Sequence, residues 1–420
     1  MKSKTPELCV IGGGAAGLAA AVEAARAFRQ AGIPGRVTVL EQLPRVGKKL
    51  LATGNGRCNL TNRRASPADY FEAVDFVRPA MERFSVDDTL AFFASMGLLC
   101  EEEEGRIYPM SRQAASVLDA LRLEAERLGV IVQCDTQAED LQSTAPKGAG
   151  PFFRINGALP ADAVILACGG KASPQHGSDG SGYGFHIPVT EVFPSLVQIT
   201  TEPKRVKALK GMRVHAEISL SAGRETLASQ RGEIQFTEFG LSGIAAMQLS
   251  RFVSLKKGRR MEAVLDLLPA FSHGQAADYL AGRIRHNPEL AAEHLLTGLL
   301  PKRVGQVLLK QAGIDLLSRP IGSLQKAELG AVAGLLKGWR FPATGTRGFS
   351  AAQVTIGGAQ RAAFQPETME ALSQPGFYAA GEVLDVDAGC GGFNLQWAWS
   401  SGRLAGRSAA QKLIKGQAAG

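Results

Sequence analysis

The sequence reads as an α/β protein whose parallel sheet is assembled from both ends of the chain, with a strand-rich and helical insert between them. Three observations predict this. The first part of the chain alternates short apolar strands with helical patterns, as parallel strands joined by crossover helices do. From about Val189 the pattern changes to short alternating segments such as Val214–Leu220 and Glu233–Thr237, which suit antiparallel strands, and between about Ala270 and Lys337 it turns helical. Near Ala352 strand-and-glycine segments return.

The first strand, Cys9-Val10-Ile11, opens into Gly12-Gly13-Gly14-Ala15-Ala16-Gly17-Leu18 and an alanine-rich helix from Ala15 to Gln30. Gly12 permits the tight strand-to-helix turn, Gly14 lets the backbone come close to a pyrophosphate, and Gly17 lets the helix lie close on the sheet. Free N–H groups at this helix start, where Ala15 and Ala16 stand, present the positive end of the dipole to phosphates. A second strand, Val37-Thr38-Val39-Leu40, ends at Glu41 about twenty residues past the last glycine, where an acid takes ribose hydroxyls. Gln42 adjoins it. Together these predict a dinucleotide bound by the N-terminal part of the chain.

Helices are expected over Val86–Met96 and Ser111–Leu128, the second capped by Ser111. The strand Val130–Cys134 follows, with Ala138 beyond it as a backbone contact to adenine. Glu101-Glu102-Glu103-Glu104-Gly105 reads as a hairpin tip, not an acidic site. The strand Ala163–Ala167 runs into Cys168-Gly169-Gly170, where two glycines bring N–H groups against a ligand. Late in the chain a strand, Phe377–Ala380, is followed by Gly381-Glu382. Gly389-Cys390-Gly391-Gly392 then leads into a helix from about Asn394 to Leu413, with a frayed tail expected from Lys415. An NAD-only protein has no need of this late segment. A flavin does: two-electron reduction places negative charge on its N1–C2=O edge, and a helix N-terminus at Gly392, Phe393, Asn394 and Leu395 stabilises that charge. The expected cofactor is therefore FAD, and no metal is expected.

Lys and Arg outnumber Asp and Glu by 47 to 39, a net charge of +8, with local contributions from Lys204-Arg205-Val206-Lys207, Lys256-Lys257 and Arg259-Arg260. These read as solvated loops at strand ends, and without interleaved aromatics they argue against a nucleic-acid partner. No apolar run reaches membrane-spanning length. The segment from Met1 to Pro6 runs directly into the first strand, so no export signal and a cytoplasmic location are expected. The six cysteines are scattered with no Cys-x-x-Cys pair, which excludes a disulfide framework or zinc site and suits a reducing compartment. Cys9, Cys134 and Cys168 are expected as inert core thiols, Cys58 and Cys390 as small packing residues in glycine-rich loops. His176, His186, His215, His273, His286 and His294 form neither ligand spacing nor a triad. No acid, base or nucleophile stands out, so the catalytic residues stay unassigned, as does the oligomeric state.

Several longer stretches carry a resemblance. They are Gly47-Lys48-Lys49-Leu50-Leu51-Ala52-Thr53-Gly54-Asn55-Gly56-Arg57-Cys58-Asn59-Leu60-Thr61-Asn62, then Gly105–Pro109, Phe236–Gly243, Thr344–Phe349, and the block from Gly381 through Ala398. With them the chain resembles the BaiN-like FAD flavoproteins, also described as the aminoacetone-oxidase family, in the two-dinucleotide-binding flavoprotein superfamily. It departs from that pattern at Ser181, Glu238, Ile244 and Ala388. The resemblance implies a Rossmann-like FAD-binding domain of the glutathione-reductase type, formed by residues 1–190 and 345–420. It further implies an inserted β-barrel over 191–269 and 338–344 and a helical subdomain over 270–337. The loop of Thr53, Asn55, Gly56, Arg57, Cys58 and Asn59 would wrap the cofactor, with Lys49 and Arg57 facing phosphate or flavin. Ala167, Gly169, Gly170, Gly381, Glu382 and Asp385 would hold its middle. The implied activity is FAD-dependent hydride transfer between flavin N5 and a small organic substrate. NADH or NADPH would dock only transiently as donor, because the chain has no second glycine fingerprint. Oxidation of an aminoacetone-like amine by oxygen and modification of tRNA are the alternatives left open.

Overall fold

The computed structural model describes residues 5–144, 152–185, 187–256 and 258–418, and the chain divides into two compact units. One comprises the chain up to Phe193 and from Val354 onward; the other runs from Pro194 to Gln353. The segment from Met1 to Lys4, His186, Lys257 and the last two residues of the tail lie outside the described residues.

The first unit is built on a five-stranded parallel sheet in the order Phe377–Ala379, Ala163–Leu166, Glu7–Ile11, Arg36–Leu40, Ile131–Gln133. Its inner strands are covered on both faces, which is why they read as continuous apolar runs and why Val10, Val39 and Val164 are fully buried. The expected helix Ala15–Gln30 is present and crosses the long C-terminal helix Phe393–Ala418 backbone to backbone. A Cβ at Gly402 would stand 2.4 Å from the Ala16 carbonyl oxygen, and one at Gly406 would stand 2.2 Å from that of Ala20. Across this crossing the buried carboxylate of Glu23 accepts from Arg403 Nε at 3.0 Å and Arg407 Nε at 2.8 Å. Both guanidinium groups lie over the Phe84 ring, at 4.2 and 4.6 Å.

Several local expectations change in the fold. The helix expected from Ser111 begins at Ala114, with Gln113 at its cap, because the Ser111 hydroxyl bonds Ser116 Oγ at 2.7 Å instead. The strand expected over Val130–Cys134 is only Ile131–Gln133 and forms the sheet edge, so Ile131 and Val132 are 42% and 39% exposed. Cys134 follows it half-buried and is not a core thiol. The C-terminal helix continues past Lys415 to Ala418, held by the Lys412–Glu370 ion pair and by Leu413 and Ile414 packing on the core. The acidic run does form a hairpin: Cys100–Glu103 pairs with Arg106–Pro109, and Arg112 engages Glu101 and Glu103.

The second unit carries a seven-stranded sheet in the order Trp339–Ala343, Met261–Asp266, Arg213–Ala222, Glu225–Phe236, Gly240–Ser242, Ile199–Thr200, Gly345–Thr346. Helices Ile244–Leu255, His273–His286, Lys302–Gln311 and Lys326–Lys337 complete it. Trp339 centres its core against Phe236 and Phe341, with ring centroids 5.8 and 5.1 Å away. The basic stretch at 204–207, expected as a solvated loop, is helical: Pro203, whose ring presets φ, starts the turn Pro203–Val206, and Lys207–Leu209 continues it. No helix among the described residues is long and apolar enough to cross a membrane.

Candidate functional site

The turn between the strand Glu7–Ile11 and the helix Ala15–Gln30 and the first turn of that helix hold four glycines, Gly12, Gly13, Gly14 and Gly17, that are glycine for two different reasons. A Cβ on Gly12 would lie 2.6 Å from the Ala167 carbonyl oxygen, one on Gly13 2.4 Å from Val46 Cγ1, and one on Gly17 1.9 Å from the Gly12 carbonyl oxygen. Those three are demanded by the protein itself. Gly14 is not: its φ is −84° and a Cβ there meets nothing within 4 Å. The open space lies at a helix N-terminus with no side-chain cap and no acid in its first turn. Free N–H groups beside an empty approach suit a pyrophosphate. Ala15 is half-buried there, whereas Ala16 packs the other way, close to Gly381 and Gly402.

Glu41 is buried beside this loop. Its Oε2 accepts from the Gly13 N–H at 3.0 Å and its Oε1 from the Leu43 N–H at 2.9 Å. Burial pushes its pKa up, against the opposing pull of these two bonds and of Lys48. Gln42 donates to the Gly177 carbonyl at 2.9 Å. The Thr136 N–H donates to the Glu41 carbonyl at 2.9 Å, which brings the segment containing half-buried Ala138 alongside.

A second wall is formed by residues far apart in sequence. Lys49 Nζ stands 2.7 Å from Glu382 Oε2 and 3.3 Å from Ser178 Oγ, so its charge is already met and does not stand free toward a phosphate. Glu382 Oε1 accepts from the Thr355 N–H at 3.0 Å and hydroxyl at 2.9 Å. Thr355 Oγ1 in turn accepts from the N–H groups of Lys171 and Ala172 at 2.8 and 2.9 Å. Gly170 must be glycine here, since a Cβ would lie 2.5 Å from Thr355 Oγ1; Gly169 has φ +77° and Ala167 is buried beneath. Gly381 donates to Ser401 Oγ at 3.0 Å, and Asp385 is half-buried beside Glu382 in sequence, its N–H donating to Ala359.

The loop from Thr53 to Asn59 is unusually shaped: Gly54, Asn55, Gly56 and Cys58 all have left-handed φ, of 57, 55, 84 and 56°. Asn tolerates this region; for Cys58 it costs about 1–3 kcal/mol. Cys58 is fully buried and its thiol is pushed up to about 12, which makes it an inert packing residue. Thr53 donates to the Leu50 carbonyl at 2.6 Å, while Asn55, Gly56 and Arg57 are exposed, Arg57 lying 5.2 Å from the Tyr108 ring centroid. At the late helix Gly392 has φ +97° and packs on Thr61. The Asn394 amide bonds the backbone of Ala388 and Gly389, which commits both donors of its side chain. The Phe393 carbonyl accepts from the Tyr70 hydroxyl at 2.8 Å, and Leu395 is half-buried.

Among the described residues of this unit, three buried polar atoms have no hydrogen-bond partner: Asn59 Oδ1, His176 Nδ1 and Tyr183 Oη. Native proteins leave few such atoms, and each calls for a bound group or water. Asn59 closes the loop from Thr53, whereas His176 and Tyr183 lie in the short turns Pro174–His176 and Ser181–Gly184 that follow the strand Ala163–Leu166. Burial, and then the nearby charges of Glu382, Cys168 and Asp385, push the Tyr183 phenol well above its ordinary range, so it is a neutral donor. No motif marks Tyr183, Ser178 or Thr355 in the sequence; only the fold assembles them.

The open Gly14 approach at an uncapped helix start, with the buried Glu41 beside it, is the architecture of a Rossmann-type dinucleotide-binding domain. The chain belongs to the HI0933-like protein Rossmann domain family, whose model matches residues 6–408. It is 39% identical over 411 residues to a 3-dehydro-bile acid delta(4,6)-reductase of Clostridium scindens, covering 96% of this chain and 98% of the relative. It is 29% identical to a ribosomal RNA dihydrouridine synthase of Haemophilus influenzae, over 95% of this chain and 97% of that one. A solved 3-ketosteroid delta1-dehydrogenase from Sterolibacterium denitrificans aligns with a TM-score of 0.49 and 13% identity, over 97% of this chain and 100% of that one. By its family the chain is an FAD-dependent oxidoreductase.

Proposed function

We propose that this oxidoreductase saturates a C=C bond conjugated to a carbonyl in a small organic substrate, with NADH or NADPH as the electron donor. The observation that carries the reading is the 39% identity, end to end, to a relative named as a 3-dehydro-bile acid delta(4,6)-reductase. A 3-oxo group conjugates with ring double bonds at positions 4 and 6, and the uracil double bond is conjugated to a carbonyl too. In either case a hydride adds at the β-carbon, the carbonyl oxygen takes the displaced charge, and a proton from solvent then adds at the α-carbon to complete the saturation.

Bound FAD supplies hydride transfer at its N5. The N–H groups at Gly14, Ala15 and Ala16 take the pyrophosphate, and Gly12 and Gly17 hold that turn in shape. Glu41, Gln42 and Ala138 take the adenosine half. Ala167, Gly169, Gly170, Gly381 and Asp385 line the middle, where the Lys49–Glu382 pair fixes the wall. Thr53, Asn55, Gly56 and Arg57 cover it, with Cys58 packed beneath to hold the loop in shape, and Asn59 Oδ1 accepts a hydrogen bond from the bound group. Gly392, Phe393, Asn394 and Leu395 turn the helix N-terminus toward the flavin edge that gains charge. Tyr183 keeps its proton at neutral pH and acts as a donor, not a base.

The cofactor domain would be the first unit, up to Phe193 and from Val354 onward, in place of the expected 1–190 and 345–420, because the strand Gly345–Thr346 pairs with Ile199–Thr200 in the second unit's sheet. The insert would be barrel-like outside 270–337, a reading supported by edge strands Trp339–Ala343 and Gly345–Thr346 being consecutive in the chain, and helical over 270–337. A cytoplasmic location is supported by six free cysteines.

The test is an absorption spectrum of the purified protein, followed by anaerobic NADH or NADPH and then a 3-oxo-4-ene steroid. The flavin band should bleach with a nicotinamide and return with the enone. A band that persists with both nicotinamides but bleaches with aminoacetone would replace this reading with an amine oxidase. No flavin after added FAD would overturn the cofactor assignment.

A further inference from the structure

Charge is divided unevenly along the chain. Between Pro194 and Gln353 there are 22 Lys and Arg against 12 Asp and Glu, whereas the remainder has 25 against 27. The second unit therefore carries +10 and the first −2, so the whole surplus of the chain belongs to the second. A unit with this balance draws anions to itself at long range.

Within that unit an open groove of about 540 Å³ is lined by Pro203, Lys207, Lys210, Glu238, Phe239 and Arg303. The turn Lys207–Leu209 brings Lys207 and Lys210 to it. Arg303 enters from the helix Lys302–Gln311, which has neither a side-chain cap nor an acid in its first turn. Lys210 is held by Glu238 at 2.6 Å, but Lys207 and Arg303 have no carboxylate partner among the described residues. Phe239 is 39% exposed, and the Arg347 guanidinium lies 3.8 Å from its ring centroid. An aromatic ring with an arginine held on it is a platform for planar rings, and the unpaired cations beside it need anions.

We propose that this groove is a nucleotide site: Lys207, Lys210 and Arg303 take phosphate, and Phe239 with Arg347 takes the base. Such a unit arrives either as a free phosphorylated dinucleotide or as part of an RNA chain. The groove binds it whichever substrate the flavin site reduces, so binding and turnover fail independently.

The flavin-loaded full chain is titrated with 2′,5′-ADP by calorimetry and with a fluorescein-labelled single-stranded RNA by anisotropy, from low to physiological salt. At least one probe should bind. An RNA meeting three cations should show a log–log salt slope of about −2. The double variant Lys207→Glu, Arg303→Glu should weaken the bound probe about tenfold or more and flatten the slope, with flavin absorbance unchanged. Phe239→Ala should weaken binding several-fold at unchanged slope. Binding of 2′,5′-ADP identifies the free dinucleotide as the source, and binding of RNA alone identifies the chain. If neither binds, if anionic phosphatidylserine vesicles bind in place of both, or if the double variant binds like the parent, the proposal is wrong.

Discussion

Gly14→Ala separates a glycine that a ligand needs from one that the protein needs. In the unliganded chain the new methyl meets nothing within 4 Å, and a φ of −84° suits alanine. Two small terms then oppose each other. Restricting the unfolded chain stabilises by about 0.4–1 kcal/mol, and losing glycine at a helix N-cap costs a similar amount. The unliganded protein should therefore keep its stability to within about 1 kcal/mol. With FAD the balance changes, because the methyl points into the space a pyrophosphate must enter. Losing two charge-assisted hydrogen bonds to the helix start costs about 3 kcal/mol or more, a Kd raised at least about a hundredfold. FAD titration by flavin fluorescence and apoprotein melting by circular dichroism read the two effects separately. Gly17→Ala is the contrast: its Cβ would lie 1.9 Å from the Gly12 carbonyl oxygen, so the apoprotein itself should lose stability. If Gly14→Ala binds FAD like the parent, the pyrophosphate does not lie at this helix; if it melts as early as Gly17→Ala, Gly14 is structural.

Tyr183→Phe removes a buried hydroxyl that has no partner, so the apoprotein should be unchanged or more stable by up to about 1 kcal/mol while FAD binds about three- to tenfold more weakly. A lower apoprotein melting temperature would instead make the hydroxyl structural. Glu23→Gln leaves Arg403, 8% exposed, without its countercharge and should cost about 3–5 kcal/mol in urea unfolding; a loss below about 1 kcal/mol would mean that stacking on Phe84 suffices. Because burial raises the pKa of Glu41, its carboxylate is charged only above a point higher than the ordinary glutamate value of about 4.3. FAD affinity should thus fall as pH drops through that raised value, and Glu41→Gln should flatten this fall; equal pH profiles for both proteins would remove Glu41 from the ribose. Raising salt should strip a nucleotide from the second-unit groove while leaving FAD affinity nearly constant, and parallel salt dependences would contradict the difference between the two sites.

How legible each part was depended on how local its cause is. The glycine loop, the strand into Glu41 and the helix Ala15–Gln30 follow from neighbours within one βαβ unit, and the fold reproduces them. Lys49 and Glu382 are 333 positions apart, and nothing in either segment says that they pair. Thr355 and Tyr183 are equally silent, since their environment is supplied by other loops. Ile131 and Val132 have core composition, yet the strand order puts them at the edge, where half their surface has no neighbour. Ser111 carries a cap signal that its own bond to Ser116 diverts. The net charge was visible in the sequence, but its meaning was not, because the uneven split depends on where the second unit begins and ends.

That split implies two different solutions to holding phosphate. The first unit has no net positive charge to offer, and Lys49 is already neutralised by Glu382. On the proposed reading its phosphates are held by fixed dipoles: the uncapped start of the helix Ala15–Gln30 and the glycine-lined backbone around it. Dipoles release no counterions when a ligand binds, act over one turn of helix, and demand close approach, which is why Gly14 has to be bare. The groove relies instead on mobile side-chain cations that act at long range and tolerate loose fit. A resident cofactor is best held by the first arrangement. A ligand that is captured and released is best held by the second, and on the proposal above the cationic second unit is the one suited to that exchange.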